Sequence, residues 1–197
     1  MTAFSGWWIR TNGSTAWSSR EASTRRSWPC GWVARRDPHL SPITDTEAWN
    51  IVLDLATDDD DVVRVGDCGG WSFAIEYGMG EGAERLAQIS RNGVEAIHLA
   101  PSPDHPPAMF SYAKDGADVC SFGIGEEVWR WGDQPDLLLP QLIGAGVLHP
   151  DGEYARPESE SYRDRDRLAL ALIESRFGLV LPRDAVVGQR LPAFLIR

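Results

Sequence analysis

A strand pattern near the centre of the chain, from Trp71 to Phe122, constrains the fold more than any other stretch. It opens with the sequence GGWSFAIEYG, in which every second side chain is large and apolar: Trp71, Phe73, Ile75 and Tyr77. Alternation of this kind is typical of a β-strand that buries one face. A short helix pattern and the strand pattern VEAIHLA follow, so the stretch predicts a sheet with helices packed against it.

The dipeptide Asp115-Gly116 predicts a β-hairpin inside this stretch, because both central residues of a type I′ turn need positive φ. A two-residue turn at this point would pair Lys114 with Ala117, Tyr112 with Val119 and Phe110 with Ser121. Short strands joined by tight turns and interrupted by helices are typical of the α+β class. We therefore expect an α+β fold with a mainly antiparallel sheet of about four to six strands and with helices packed on one face.

The length of the chain, 197 residues, suits one ordinary domain with an appendage. Thr44 and Glu47 have the spacing of a helix capping box and precede an apolar helical stripe. We therefore expect a single α+β domain over residues 42–197.

Residues 1–41 differ from the rest in composition. They contain five of the nine tryptophans and six arginines, interleaved with Ser, Gly and Pro, and show no consistent period. We expect a disordered basic extension, or one that lies upstream of the true start codon, with translation beginning near Val33. The functional alternative is an aromatic arm that stacks on single-stranded nucleic acid.

The net charge of −10 bears on the kind of partner. An acidic surface repels phosphate backbones, so nucleic acid is an unfavourable ligand for the domain. Such a surface instead suits plain solubility, a basic protein partner or a cationic ligand. No apolar run approaches the roughly 18 residues that a membrane span requires. Three widely spaced cysteines form no disulfide framework, and we expect a cytoplasmic protein.

The loop Trp129-Arg130-Trp131 is the candidate binding site. Loops carry function more often than strands, and Trp and Arg are enriched at binding hot spots. The structural alternative is that Trp129 and Trp131 cap the open end of the sheet while Arg130 pairs with an acid.

Acidic residues are plentiful, with 29 Asp and Glu, but the sequence forms no recognised catalytic or metal-binding motif. His98, Asp104 and His105 could form a metal site, but their arrangement lacks any diagnostic ligand spacing. There is no GxSxG, HExxH or nucleotide-binding loop in the sequence. We therefore assign no catalytic residue and expect no cofactor.

An ordered set of segments resembles a known but uncharacterised family. These segments are GGWSFAIEYG, ISRNGVEAIHL, FSYAKDGADVCSF, RWGDQPDLLLPQLIGAG and LALALIESRFGLVLP. The family consists of small Trp-containing α+β proteins of actinobacteria, a domain of unknown function, and the likeness covers residues 62–182. The chain is also similar, more loosely, to immunity proteins of bacterial toxin systems. The resemblance implies an actinobacterial cytoplasmic protein with one sheet-plus-helices domain, and it implies no catalytic residues.

Two functions follow as hypotheses. The first is a non-enzymatic protein-binding or immunity-type module whose acidic surface binds a basic partner such as a toxin nuclease. The second is a small hydrolase or metal-dependent enzyme that uses His98, His105 and nearby acids.

Overall fold

The computed structural model describes residues 5–11, 39–55, 61–78, 82–100, 108–155, 162–179 and 183–196. The strands are β1 Ser5–Thr11, β2 His39–Ile43, β3 Asp61–Cys68, β4 Trp71–Tyr77, β5 Val94–Ala100, β6 Met109–Lys114, β7 Ala117–Gly123, β8 Arg130–Trp131 and β9 Leu191–Ile196. The helices are α1 Asp45–Asp54, α2 Gly82–Ile89, α3 Leu139–Gly144, α4 Tyr162–Phe177 and α5 Arg183–Val187, with a 3₁₀ helix at Pro135–Leu138.

The strands form one sheet in the order β2-β9-β3-β4-β1-β5-β6-β7-β8, and each neighbouring pair is antiparallel. The α+β class and the antiparallel sheet are therefore confirmed. The sheet has nine strands, more than the four to six expected. Three of the additional strands, β1, β2 and β9, come from the two end regions of the chain, where the sequence shows no clear alternation, and the fourth, β8, has only two residues.

Strand β1 lies at the centre of this sheet, between β4 and β5. Ser5 pairs with Glu76 of β4, and Gly6 pairs with Leu99 of β5. The central strand of the sheet therefore belongs to residues 1–41, the segment that the sequence predicts to be an extension. A chain beginning near Val33 would lack strand β1. Residues 12–38 lie outside the described residues.

The predicted hairpin between β6 and β7 is present, but its register shifts within the strands. Asp115 and Gly116 have φ values of 53° and 83°, as the type I′ turn requires. Lys114 pairs with Ala117 as predicted, whereas Tyr112 pairs with Cys120 and not with Val119. A β-bulge near Val119 inserts one residue, and a shift by one moves every later side chain to the opposite face.

Because of this bulge, Phe122 lies opposite Phe110, on the face that carries the main core. The two rings are 4.9 Å apart between centroids. Phe177 of α4 packs against Phe110, with their ring centroids 6.1 Å apart. The predicted pairs Phe110–Ser121 and Tyr112–Val119 are therefore wrong, although the turn that motivated them is right.

Helices cover both faces of the sheet, and not one face as the sequence suggested. The main core lies under α1, α3, α4 and α5 and includes Trp71, Phe73 and Ile75. A smaller cluster on the second face lies under α2, which buries Leu86 and Ile89 there. The capping box that begins α1 is confirmed: Glu47 N–H donates to Thr44 Oγ1 at 3.2 Å and Thr44 N–H donates to Glu47 Oε2 at 2.7 Å.

Candidate functional site

The Trp129-Arg130-Trp131 segment lies at one edge of the sheet, where β8 is the last strand. Tight turns lead out of β7, since Glu126 N–H donates to Gly123 O at 2.8 Å and Trp129 N–H donates to Glu126 O at 2.9 Å. The chain then pairs again with β7, so that the segment is held by the sheet instead of extending freely into solvent. We call residues 129–131 the tryptophan edge.

Arg130 faces inward within this edge. It lies opposite Phe122, whose side chain belongs to the main core. Its Nη2 and Nε donate to Asp136 Oδ1 at 2.9 and 3.3 Å, and Nη1 donates to the carbonyl oxygen of Glu127. Only 11% of the Arg130 side chain is exposed. The guanidinium therefore holds the turn and the 3₁₀ helix together, as the structural alternative predicted.

The two tryptophans project from this held backbone into solvent. Trp129 is 73% exposed and Trp131 is 46% exposed, which makes them two of the largest exposed apolar side chains in the described chain. Trp131 lies opposite Ser121, and directly opposite residues share a face of the sheet. Trp131 therefore stands on the second face, the face that carries α2, and does not cap the main core.

The backbone that follows β8 continues tightly along β7. Gly132 has a φ of +112°, and a Cβ atom there would lie 2.6 Å from the carbonyl oxygen of Val119. Asp133 N–H donates to Asp118 O at 2.9 Å and Gln134 N–H donates to Val119 O at 2.8 Å. These contacts fix the position of the tryptophan edge, and only glycine fits at residue 132.

The charge around the edge is predominantly acidic. Asp118 and Asp133 are both exposed near Trp131 and their backbones are hydrogen-bonded to each other. Asp118 Oδ1 also accepts a hydrogen bond from Ser121 Oγ at 2.8 Å. The nearby cation, Arg130, has its charge paired with Asp136. The edge thus presents exposed indole rings beside carboxylates.

His98, which the sequence indicates as a possible metal ligand, lies in β5 on the second face of the sheet. Its Nε2 is 3.6 Å from Glu76 Oε2, and both side chains are almost fully buried. Asp104 and His105, its predicted metal partners, lie outside the described residues. Among the residues that the structure describes, no group of three His, Cys, Asp or Glu side chains is arranged to hold a metal ion.

The sequence gives no sign that Arg64 and Glu76, two of the buried charged residues, are buried. Arg64 lies in a strand pattern, VVRV, and Glu76 in another, FAIEY, where alternation alone cannot distinguish a buried charge from an exposed one. Arg64 is wholly buried in the main core and hydrogen-bonded to Tyr77 and Asp45. Glu76 has His98 beside it, a pairing across strands that no local pattern could reveal.

The thiol of Cys120 lies in the main core, 3.5 Å from the carbonyl oxygen of Pro135. It is fully buried, and burial raises the pKa of the thiol to about 11. A neutral, buried thiol is a poor nucleophile, so Cys120 acts as a small core residue.

The fold and this site define the class: an α+β domain built on one antiparallel sheet, with a tryptophan edge as its most exposed aromatic surface. A family model, the family of unknown function DUF6461, matches residues 45–184, and the chain belongs to this family. No curated protein and no solved structure matches the chain. In the described part of the chain, none of the helices is both long enough and apolar enough to cross a membrane.

Proposed function

We propose that this protein is a non-enzymatic binding module that docks a basic protein partner on the tryptophan edge. The observation that carries the proposal is the pair of exposed side chains, Trp129 at 73% and Trp131 at 46%, on backbone fixed by sheet pairing. Trp is enriched among the residues that contribute most to binding, because it brings a large apolar area and a polar N–H group.

Preorganisation supports the proposal. Gly132 packs against the β7 backbone, and Arg130 is bonded to Asp136, so little conformational entropy is left for the edge to lose on binding. Arg130 therefore supports the site as a positioning residue, and the two indole rings make the contact with the partner.

The charge of the surface sets the chemistry of the partner. Asp118 and Asp133 are exposed near Trp131, and the whole chain carries a net charge of −10. A basic protein would be steered toward such a surface, and a cationic side chain could lie over an indole face beside a carboxylate. The same field disfavours nucleic acid as a partner of the domain.

The biological setting forms part of the same proposal. An acidic module that covers the basic active site of a toxin nuclease would act as an immunity protein in the cytoplasm of an actinobacterium. The loose likeness to immunity proteins and the charge of the chain support this setting.

The direct test compares the capture of a stoichiometric partner by wild-type protein and by three variants. In Trp129→Ala/Trp131→Ala we expect each lost indole to cost about 2 kcal/mol, equivalent to about 30-fold in affinity per residue. Leu53→Ala is the matched control, since Leu53 on α1 is 78% exposed but lies away from the edge. Capture should weaken with added salt, and Asp118→Asn/Asp133→Asn should slow association.

Equal capture by the double variant and by wild-type protein would reject the tryptophan edge as the docking site. Capture that is insensitive to salt would reject the basic character of the partner.

The second candidate function is a small hydrolase. The specific observation in its favour is the buried Glu76–His98 pair. In the metal-dependent form, His98 would act with Asp104 and His105, and zinc, manganese and iron analysis of the purified protein tests that form. Sub-stoichiometric metal would remove it.

A further inference from the structure

Tyr154 lies beside the turns that lead into the tryptophan edge. Its hydroxyl donates to the carbonyl oxygen of Gly125 at 3.0 Å, and Gly125 lies between the end of β7 and Trp129. One turn joins Glu126 to Trp129, so the Cα atoms of Gly125 and Trp129 are at most about 11 Å apart. The phenol of Tyr154 therefore belongs to the same region of the surface as the exposed indole of Trp129.

A series of hydrogen bonds connects Tyr154 to the residues that hold the edge. The N–H group of Gly125 donates to Glu127 Oε1 at 2.7 Å, and Arg130 Nη1 donates to the carbonyl oxygen of Glu127. Glu127 is buried, and Arg130 holds the edge through Asp136. Tyr154 and the tryptophans are therefore positioned by one connected set of hydrogen bonds before any partner binds.

A short hairpin, residues 148–154, presents Tyr154. Leu148 lies opposite Tyr154 and is buried in the main core, and His149 N–H donates to the carbonyl oxygen of Glu153 at 2.8 Å. With the hairpin anchored in this way, 36% of Tyr154 remains exposed. The ring is thus fixed at its hydroxyl by the turn and at its backbone by the hairpin.

The exposed aromatic side chains are concentrated in this region of the described chain. Five large apolar side chains are exposed among the described residues, and the three aromatic ones are Trp129, Trp131 and Tyr154. The other two, Leu53 and Val187, belong to α1 and α5, which pack against each other. Exposed apolar area that is gathered in one region and surrounded by polar residues is typical of a protein interaction site.

The hairpin also adds acidic groups to the surface. Asp151 and Glu153 are exposed, and Glu153 N–H donates to Asp151 Oδ1 at 3.1 Å. Carboxylates thus accompany Tyr154 as they accompany the tryptophans, where Asp118 and Asp133 are exposed near Trp131. The charge therefore favours one basic partner for both parts of the surface.

We infer that Tyr154 is a third contact residue of the docking surface, and that Asp151 and Glu153 steer the same partner toward it. This inference rests on the proposed function and defines the extent of its surface. The occupant is a folded basic protein. A standard interface covers about 800 Å² on each partner, whereas one aromatic side chain buries about 150–250 Å², so the two indoles alone supply too little area.

The test uses as its probe the partner that co-purifies with wild-type protein and is separated from it at high salt. Tyr154→Ala should weaken binding about tenfold, as for an aromatic contact worth about 1.4 kcal/mol. Tyr154→Phe keeps the ring and should bind within about threefold of wild-type protein. If Tyr154 only held the turn through its hydroxyl, the two variants would lose affinity equally. Val187→Ala is the control, since Val187 is 43% exposed but lies on α5, and it should bind like wild-type protein.

The variant Asp151→Asn/Glu153→Gln tests the acidic groups of the hairpin through the association rate. At low salt it should associate about threefold more slowly than wild-type protein, and the difference should shrink as salt is added. Its dissociation rate should stay close to the wild-type value, because charges at the rim of an interface act mainly on association. An unchanged association rate at low salt overturns the steering role of the hairpin.

Circular dichroism shows which variants fold, and Tyr154→Leu, which keeps an apolar side chain in the hairpin, replaces Tyr154→Ala if that variant does not. Wild-type affinity in the folded variant overturns the inference, and so do equal losses in the Phe and Ala variants. If Trp129→Ala/Trp131→Ala loses affinity in the same assay, the proposed docking site stands without Tyr154. If all these variants bind like wild-type protein, or if no partner co-purifies, the proposed function fails together with the inference.

Discussion

Replacement of Arg64 by Met should be the most destabilising single change to the charged residues of the core. The Arg64 guanidinium is wholly buried and connects elements that are far apart in the chain. It donates to the carbonyl oxygens of Ile43, Val186 and Gln189 at 3.2, 2.9 and 2.8 Å, to the Tyr77 hydroxyl at 2.7 Å and to Asp45 Oδ1 at 3.5 Å.

The expected loss follows from what Met would leave behind. Removing one partner of a buried ion pair usually costs about 3–5 kcal/mol, because the remaining charge stays in a poorly solvating environment. Each backbone carbonyl left without a donor adds about 1–3 kcal/mol, less where water can reach it. We expect the free energy of unfolding to fall by about 4 kcal/mol or more, a large fraction of the roughly 5–15 kcal/mol that stabilises a typical domain.

Urea unfolding, followed by tryptophan fluorescence, measures this loss. Arg190→Met is the control, because Arg190 also forms an ion pair, with Glu47 at 3.0 Å, but both side chains are about half exposed. The control should leave the unfolding midpoint within experimental error. A loss in Arg64→Met below about 1 kcal/mol, the value of an exposed ion pair, would refute the view that this buried cluster holds the fold together.

Three further predictions concern other parts of the fold. Burial, together with the hydrogen bond to Asp45, raises the pKa of Tyr77 above its ordinary value of 10.0, so the folded state favours the neutral phenol. The contribution of Tyr77 to the free energy of unfolding should be complete below pH 10 and should be lost as the pH rises above 10. In urea titrations at the same pH values, Tyr77→Phe should not show this loss. Gly132→Ala should lower the free energy of unfolding by about 1–3 kcal/mol, because residue 132 has a positive φ and an added Cβ would contact β7. The control Gly70→Ala also has a positive φ but has open space around it, and it should lower the free energy of unfolding by only about 1 kcal/mol. Equal losses in the two variants would contradict a contribution from the contact with β7. Deletion of residues 1–11 removes β1 and should abolish cooperative thermal unfolding, whereas a wild-type melting curve would show that β1 is dispensable.

Features of the fold with local signals could be predicted from the sequence. The turn at Asp115-Gly116 depends on positive φ at two adjacent residues, and the capping box at Thr44 depends on two residues three positions apart. Both features depend only on residues close together in the chain, and both are confirmed. The strand at Trp71–Tyr77 likewise follows from its own alternation.

Features that depend on distant partners could not be predicted in this way. The sheet order places β1 between β4 and β5, and β9 between β2 and β3, and these pairings join segments far apart in the chain. The bulge near Val119 is a one-residue insertion with no composition signal, and it moved every later residue of β7 to the other face. Arg64 was unremarkable in its strand because its partners come from four other elements.

The same division applies to the candidate sites. The sequence singled out Trp129, Arg130 and Trp131 by residue type, but only the register shows that Arg130 faces inward while Trp131 faces out. The sequence indicates His98 as a possible ligand or base, yet its neighbours Glu76 and Ser111 come from other strands. No spacing along the chain could have joined them.

The central claim, that the tryptophan edge docks a basic partner, is tested most directly by hydrogen–deuterium exchange of the protein with and without its captured partner. The proposed docking predicts slower exchange across residues 118–134 in the complex. It predicts unchanged exchange in α1, at the opposite side of the sheet order. Protection confined to α1 or to other segments, with residues 118–134 unaffected, would contradict the claim.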